Sequence, residues 1–348
     1  MSTKRIFRLF ALLLALVMCV ASFASCGEPE VDPKEEKYEQ AYDLLETGEY
    51  ENAYALFTEL GDYKNAKVEA SKFRYVPTKY SKSYIDGEDS GSSTFVISLN
   101  ENNLPKEIVE TRVDGYKHTC VFTYNEKGKI VNVSCTDTDG DTMGYVCTYD
   151  EKGNIAKEVF TEKDGAVNTY EYTYDAEGRL IKYAVSDDLS DDLTYSYTYD
   201  EDGREDVCVI INEGEKTIRN AIYDENGNIV RAISKDESGN VVSEEQYEYN
   251  AAGNRTKAVL INGGKILATF EYTFDEKGQP IREYSMYGSE FYFSYDYSYD
   301  ANGNRIKSVC KYGQSYEDTL DVEFKFVYIP FEYSDEEWKN LVEKTENW

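Results

Sequence analysis

Glycine recurs in this chain with a fixed step. Gly128, Gly153, Gly178, Gly203, Gly227, Gly253, Gly278 and Gly303 follow one another at intervals of 24 to 26 residues. Roughly midway between them stand second turn signals: Asp114-Gly115, Asp139-Gly140, Asp164-Gly165, Gly214, Ser238-Gly239, Gly263-Gly264, Gly288 and Gly313. The stretch from Asp187 to Asp192 alone lacks a glycine where one is due. The chain therefore reverses about every 12 or 13 residues between Thr111 and Asp321, which gives roughly sixteen short antiparallel strands in a meander. Nothing interrupts the array, so it reads as one domain of repeats.

One unit shows the logic. In TYEYTYDAEGRL (Thr169 to Leu180), Tyr170, Tyr172 and Tyr174 are spaced by the strand period and share a face, while Glu171 and Thr173 share the other. The strand stops at Asp175-Ala176-Glu177-Gly178. Aspartate at the first position of a type I turn accepts backbone N–H bonds. Glycine at the fourth takes the left-handed conformation that opens a G1 bulge. Arg179 and Leu180 then lead a return strand. The expected fold class is mainly β, a long antiparallel meander of hairpin repeats with a small N-terminal helical segment. A single sheet must bury its apolar face, so the meander is expected to curl into a spiral or barrel-like sheet. A β-propeller, with two units per four-stranded blade, is the alternative. A membrane barrel fits poorly, because strands such as YEYTYD would turn acids and hydroxyls toward lipid.

The motif resembles the YD repeat of RHS and teneurin-type surface and toxin proteins. GAVNTYEYTYDAEGRL (Gly165 to Leu180) and DDLTYSYTYDEDGR (Asp191 to Arg204) carry it, and it extends over residues 111–321. Later copies depart: Tyr223-Asp224 lacks the upstream tyrosines, Asn250 replaces aspartate and Phe274 replaces tyrosine. The resemblance implies a sheet coiled into a spiral or shell, associated with cell surfaces, glycans or protein partners. The array is shorter than such shells, so enclosure of a cargo is not expected.

The ends read differently. In residues 1–25, Lys4, Arg5 and Arg8 precede the apolar run LFALLLALVMCVASF, the pattern of a secretion signal. Ala24-Ser25-Cys26-Gly27 resembles a bacterial lipobox, with Phe23 where leucine is usual. The resemblance implies lipid attachment at Cys26, a membrane partner through that anchor, and a place on the extracytoplasmic face at the bacterial cell surface. Residues 26–34 form a polar tether. Over residues 35–76 the apolar period is helical, with Ala41, Leu44 and Leu45 on one stripe and Tyr50, Ala53, Phe57 and Leu60 on another. The pattern from Gly48 through Tyr50, Ala53 and Phe57 resembles a tetratricopeptide repeat, expected here as a small cap on the first strands. Residues 77–110 are expected to connect and to hold the first strands, 111–321 to form the hairpin repeats, and 322–348 the last strand and a C-terminal helix. Ser334-Asp335-Glu336-Glu337 fits a capping box, and that helix is expected to cover the last sheet edge.

The formal net charge is −30, and residues 1–25 hold three basic and no acidic side chains, so the rest is more negative still. That sign argues against nucleic-acid partners and against adsorption to anionic lipid. Asp137, Asp139 and Asp141 crowd one turn and are the candidates for a hard cation. The twelfth position counted from Asp137 is nevertheless Thr148, where an EF-hand needs glutamate. No cofactor is expected. His118 is the chain's one histidine, which excludes a zinc cluster built on histidines, and it is expected at the surface. G-x-S-x-G and a glycine-rich phosphate loop are both missing. No enzyme is expected. A carboxylate-based glycoside hydrolase is a third reading, opposed by acids that recur with the period of the turns. Cys120, Cys135, Cys147, Cys208 and Cys310 make an odd set, with one bridge among the first three left open. The expected function is a lipid-anchored extracellular repeat protein that binds or scaffolds, its partner a cell-surface or dietary polysaccharide or an envelope protein. A purely structural spacer or a protein–protein interaction module is the alternative. Tyr145, Tyr292, Tyr295 and Tyr297 are the candidate exposed platform for sugar rings.

Overall fold

The computed structural model describes residues 32–346, apart from 88, 188–192, 289–290 and 314–315. Cys26 and the signal segment lie outside the described residues. The chain forms two compact units that divide after Ala70.

The first unit holds three helices, α1 (Pro33–Thr47), α2 (Tyr50–Leu60) and α3 (Ala66–Ala70). Asp32 accepts the Lys34 N–H at 2.9 Å to cap α1, and Gly48, with φ 81°, ends it. Ala41, Ala53, Phe57 and Ala66 are fully buried, with Tyr38 and Tyr42 packed edge-on against the Phe57 ring. The helical stretch stops at Ala70, short of residue 76, because FRYVPTKY alternates at the strand period and starts β1 at Phe73.

The second unit is one antiparallel sheet of 20 strands. They are β1 (Phe73–Asp86), β2 (Asp89–Leu99), β3 (Pro105–Arg112), β4 (Lys117–Tyr124), β5 (Ile130–Asp137), β6 (Thr142–Tyr149), β7 (Ile155–Thr161), β8 (Val167–Tyr174), β9 (Leu180–Asp187), β10 (Leu193–Tyr199), β11 (Glu205–Asn212), β12 (Glu215–Tyr223), β13 (Ile229–Asp236), β14 (Val241–Tyr249), β15 (Arg255–Asn262), β16 (Lys265–Phe274), β17 (Pro280–Tyr287), β18 (Phe291–Tyr299), β19 (Arg305–Tyr312) and β20 (Tyr316–Tyr328). Each pairs with the next, and β20 returns to β1 along a ladder from Phe73↔Tyr328 to Asp86↔Tyr316. The meander is therefore a closed barrel. It is neither a propeller nor an open spiral. β4 to β19 are the strands of the repeat array; β1 to β3 and β20 complete the ring. β1 and β20 are the longest strands, 14 and 13 residues, and their ladder removes both edges from solvent.

The turns follow their chemistry. Gly178 has φ 85° and donates its N–H to the Asp175 carbonyl, while the Asp175 carboxylate accepts the Arg179 N–H at 2.8 Å. The ladder slips register between Thr173 and Tyr174, which is the bulge. The structure reveals one further copy. Asn103, one repeat length before Gly128, takes the glycine's place with φ 61°, and Asn100 accepts from Asn102 and Leu104 as aspartate does elsewhere.

Twenty strands about 4.8 Å apart make a ring about 100 Å around before tilt, more than inward side chains alone can fill. The outer face carries cross-strand ion pairs such as Lys157–Glu171 at 3.1 Å and Lys311–Glu317 at 3.1 Å, unlike a lipid-facing surface. Inside lies α4 (Asp335–Glu346). Ser334 and Glu337 cap it reciprocally, side chain to backbone, at 2.9 and 3.1 Å. Lys344 reaches Glu158 on β7, while Thr345 shares a cavity with Tyr295 on β18. A helix that meets both must occupy the lumen. It covers no sheet edge, because closure leaves none.

Candidate functional site

The signature tyrosine works between repeats. The hydroxyl of Tyr124 donates to the Pro105 carbonyl at 2.6 Å, Tyr149 to Ile130 at 2.7 Å, Tyr174 to Ile155 at 3.0 Å and Tyr199 to Leu180 at 2.6 Å. Tyr223, Tyr249 and Tyr299 repeat the bond to Glu205, Ile229 and Pro280. Each acceptor opens the return strand of the previous repeat. Arg179 and Arg204 add guanidinium stacks on the next repeat's tyrosine, Tyr199 and Tyr223, at 4.6 and 4.8 Å. This rim of the barrel is laced together by its own motif.

The lumen is unevenly filled. Along β4 to β6 alternate inward residues, among them Cys120, Phe122, Val133, Cys135, Tyr145 and Cys147, are buried. From β8 onward the inward tyrosines are mostly half-buried. The cause is α4, which enters beside the laced rim, where Tyr333 donates to the Gly128 carbonyl at 2.6 Å and Lys129 pairs with Glu337 at 2.9 Å. Deeper, the Lys344 ammonium lies 2.7 Å from Glu158, whose carboxylate also accepts the Tyr145 hydroxyl and, at 2.6 Å, that of Tyr172. Burial pushes the Glu158 carboxyl up, but Lys344 and the two tyrosines bring it below its ordinary value.

Beyond the C-terminal end of α4 the lumen is open. A cavity of about 770 Å³ is walled by Tyr80, Tyr84 and Phe95 on β1 and β2, Tyr295 on β18, and the polar groups Lys82, Glu110, Arg112 and Asp318. A second, of about 390 Å³, continues past Tyr295 to Phe270, Tyr272, Tyr287 and Phe293. The charges in the first are paired internally, Arg112 with Glu110 at 2.9 Å and Lys82 with Asp318 at 3.2 Å. Hydrogen bonding with Cys310, then burial, pushes the Tyr295 hydroxyl up to about 12, so the ring is a neutral surface near neutral pH. Further round, Arg219 bridges the acids Glu205 and Glu245 at 2.6 and 2.8 Å, so both carboxylates are engaged.

The sequence-derived candidates separate. Tyr295 and Tyr297 stack with ring centroids 6.2 Å apart, and Tyr295 lines both cavities. Tyr292 stacks on Tyr284, whose partner in the ladder places the pair on the other face. Tyr145 is 1% exposed, so it is no open platform; α4 covers it. Asp137, Asp139 and Asp141 do share a turn, but Lys163 places its ammonium 2.8 Å from Asp137 and 2.7 Å from Asp141. That ammonium bond, with backbone N–H bonds behind it, holds Asp137 down to about 2. The turn already has its cation. Cys120 and Cys135 form a disulfide across β4 and β5. His118, expected on the surface, is half-buried on the inner face with its Nε2 3.8 Å from the Cys120 sulfur. Lys344, Glu158 and Arg112 gave no sign in the sequence, because solvated charges have the same local pattern.

Residues 69–317 match the family model of the teneurin YD-shell, and the chain belongs to that family. No curated protein matches it. Among solved structures it is similar to the crystal structure of TcdB2-TccC3-Cdc42, with a TM-score of 0.34 and 14% identity, over 65% of this chain and 15% of that one. It is also similar to a porin-like protein from Bacteroides uniformis ATCC 8492, with a TM-score of 0.34 and 12% identity, over 72% of this chain and 96% of that one.

Proposed function

We propose that this YD-shell barrel is a lipid-anchored, extracytoplasmic binding protein whose lumen takes a carbohydrate chain. The observation that carries the reading is the position of Tyr295, an inward ring between two aromatic-walled cavities of about 770 and 390 Å³. Aromatic faces suit the C–H faces of sugar rings, and the hydroxyls, acids and guanidinium around them suit sugar hydroxyls. Because the charges there are already paired, an uncharged polyhydroxylated ligand fits better than an ion. The sequence Ala24-Ser25-Cys26-Gly27 supports lipid attachment at Cys26, and the charged outer face supports a barrel standing in water beside the membrane. Stacking contributes about 1 kcal/mol per ring, so a single barrel binds weakly and many anchored copies on one polymer gain by avidity.

The test titrates neutral oligosaccharides from envelope and dietary polysaccharides against the soluble chain, with tyrosine ring signals as readout. Shifts that disappear in Tyr295→Ala, Tyr297→Ala are expected. If no member of the panel perturbs any lumenal tyrosine, the barrel is a scaffold and the reading fails.

A further inference from the structure

We propose that a dithiol reductant, by opening the Cys120–Cys135 bridge, converts this corner of the lumen into a binding site for a thiophilic metal ion of the zinc class. The chain has one histidine, and the fold sets it beside the one disulfide among the described residues. β4 and β5 pair Cys120 with Cys135 in register, and His118, two residues before Cys120, shares their face. The imidazole Nε2 stands 3.8 Å from the Cys120 sulfur, and the donor atoms of all three residues lie within 4.8 Å of one another. Two donors about 2.3 and 2.1 Å from a shared ion stand about 3.6 Å apart at the tetrahedral angle. The His118–Cys120 spacing is thus already that of a chelate, held within β4, and the two sulfurs are free to part to theirs once the bond between them is reduced.

A staple alone explains the two cysteines but gives the histidine no task. One neighbour is also suited to a thiophilic ion: Met143, opposite Cys135 in the β5–β6 ladder, brings a thioether to the same face, while Glu110, opposite His118, is held by Arg112 at 2.9 Å. Cys120 and Cys135 are 1% and 0% exposed, while His118 is only half-buried, so an ion entering from the lumen meets the imidazole first. The chemistry balances. The reductant's two thiols become its disulfide as the protein's disulfide becomes two thiols. The ion then displaces two protons, binds two thiolates and neutral imidazole, and leaves one position for solvent or the Met143 sulfur.

The experiment uses residues 26–348 with Cys26, Cys147, Cys208 and Cys310 changed to serine, so that no other thiol competes. Reduced and oxidised samples are titrated with zinc against a chromophoric chelator, and cobalt(II) substitution is read for its thiolate charge-transfer band. One equivalent bound by the reduced sample, none by the oxidised one, and a loss of affinity of at least about 10-fold in His118→Ala are expected. Bound zinc should also protect both thiols from alkylation. Circular dichroism checks the fold of each variant, and His118→Ala, whose side chain belongs to no packed core, keeps the question open to refutation if a cysteine variant misfolds. Equal binding by reduced and oxidised protein, several weak ions with no thiolate band, or unchanged affinity in His118→Ala would each overturn the proposal.

Discussion

Lys344→Met separates the closed barrel from its internal helix. The ammonium is the positive partner of Glu158, with side chains 32% and 11% exposed. Removing one partner of a buried pair costs about 3–5 kcal/mol when both are fully enclosed. Lys344 retains some water, and the Tyr145 and Tyr172 hydroxyls still donate to the carboxylate, so about 2–3 kcal/mol is expected. For a barrel of this size that lowers Tm by roughly 3–5 °C. The effect must depend on pH with a definite sign. In the native protein the Glu158 carboxyl lies below its ordinary value, so its stabilisation is complete above the unfolded pKa of about 4.3 and fades as pH falls through the folded one. Without Lys344, burial dominates and the folded pKa rises above the unfolded one. The penalty is then present at neutral pH and relieved as pH falls through that raised value. Thermal and denaturant melts at pH 7.5 and 4.5 should show a wide gap between native and variant at the higher pH and a narrow one at the lower. Adding Glu158→Gln to Lys344→Met should recover stability at pH 7.5. A gap equal at both pH values, or no recovery, would refute the ion-pair account of how α4 is held.

Phe274→Tyr completes the hydroxyl ladder, since Arg255 opens β15 as the other acceptors open their strands; a gain of about 0.5–1 kcal/mol is expected in melts, and a loss would mean the ring lies elsewhere. Gly178→Ala and Gly128→Ala meet similar φ values of 85° and 79°, but a Cβ at Gly178 touches nothing while one at Gly128 lies 2.6 Å from the Phe331 ring and also meets the Tyr333 hydroxyl. The first should cost about 1 kcal/mol and the second clearly more, read from denaturant midpoints. Deleting residues 178–202, one repeat, should abolish the cooperative melt seen by circular dichroism, because a closed ring must re-form around α4; a deletion that melts normally would mean the ring tolerates fewer strands.

What the sequence disclosed was local. Asp175 and Gly178 specify their turn and bulge within four residues, and the tyrosines of β8 alternate wherever the strand goes. Closure was hidden because Phe73 and Tyr328 meet across the whole chain length, and neither β1 nor β20 carries the repeat. The copy at Asn100–Asn103 was hidden because asparagine stands for glycine and Leu99 for tyrosine. Capping signals placed α4 correctly, but an amphipathic pattern does not say whether a helix lies on an edge or in a lumen. Tyr145 looked exposed near the array's end for that reason. His118 looked isolated because the disulfide beside it is completed by Cys135 on the neighbouring strand, and register cannot be read from one strand's sequence.

The repeat also bears on which end of the barrel the proposed ligand would use. Tyrosine hydroxyls bind carbonyls of the preceding repeat at one rim, and that same rim receives Tyr333 and the start of α4. At the opposite rim the contacts between repeats differ, with Tyr116 donating to Asp137 at 3.2 Å and Lys163 paired with Asp137 at 2.8 Å, and its turns vary from Asp139-Gly140 to Gly263-Gly264 and Gly288. The inward aromatics that keep most contact with water, Tyr84 at 41%, Tyr287 at 41% and Phe291 at 55%, adjoin those variable turns. A chain entering the lumen would therefore come from the variable rim and pass these rings before reaching Tyr295. Substitutions in the turns flanking β18 should alter which ligand is admitted, whereas substitutions in the Asp-x-x-Gly turns act on stability. The repeated chemistry of one rim holds the ring, and the freedom of the other shapes its mouth.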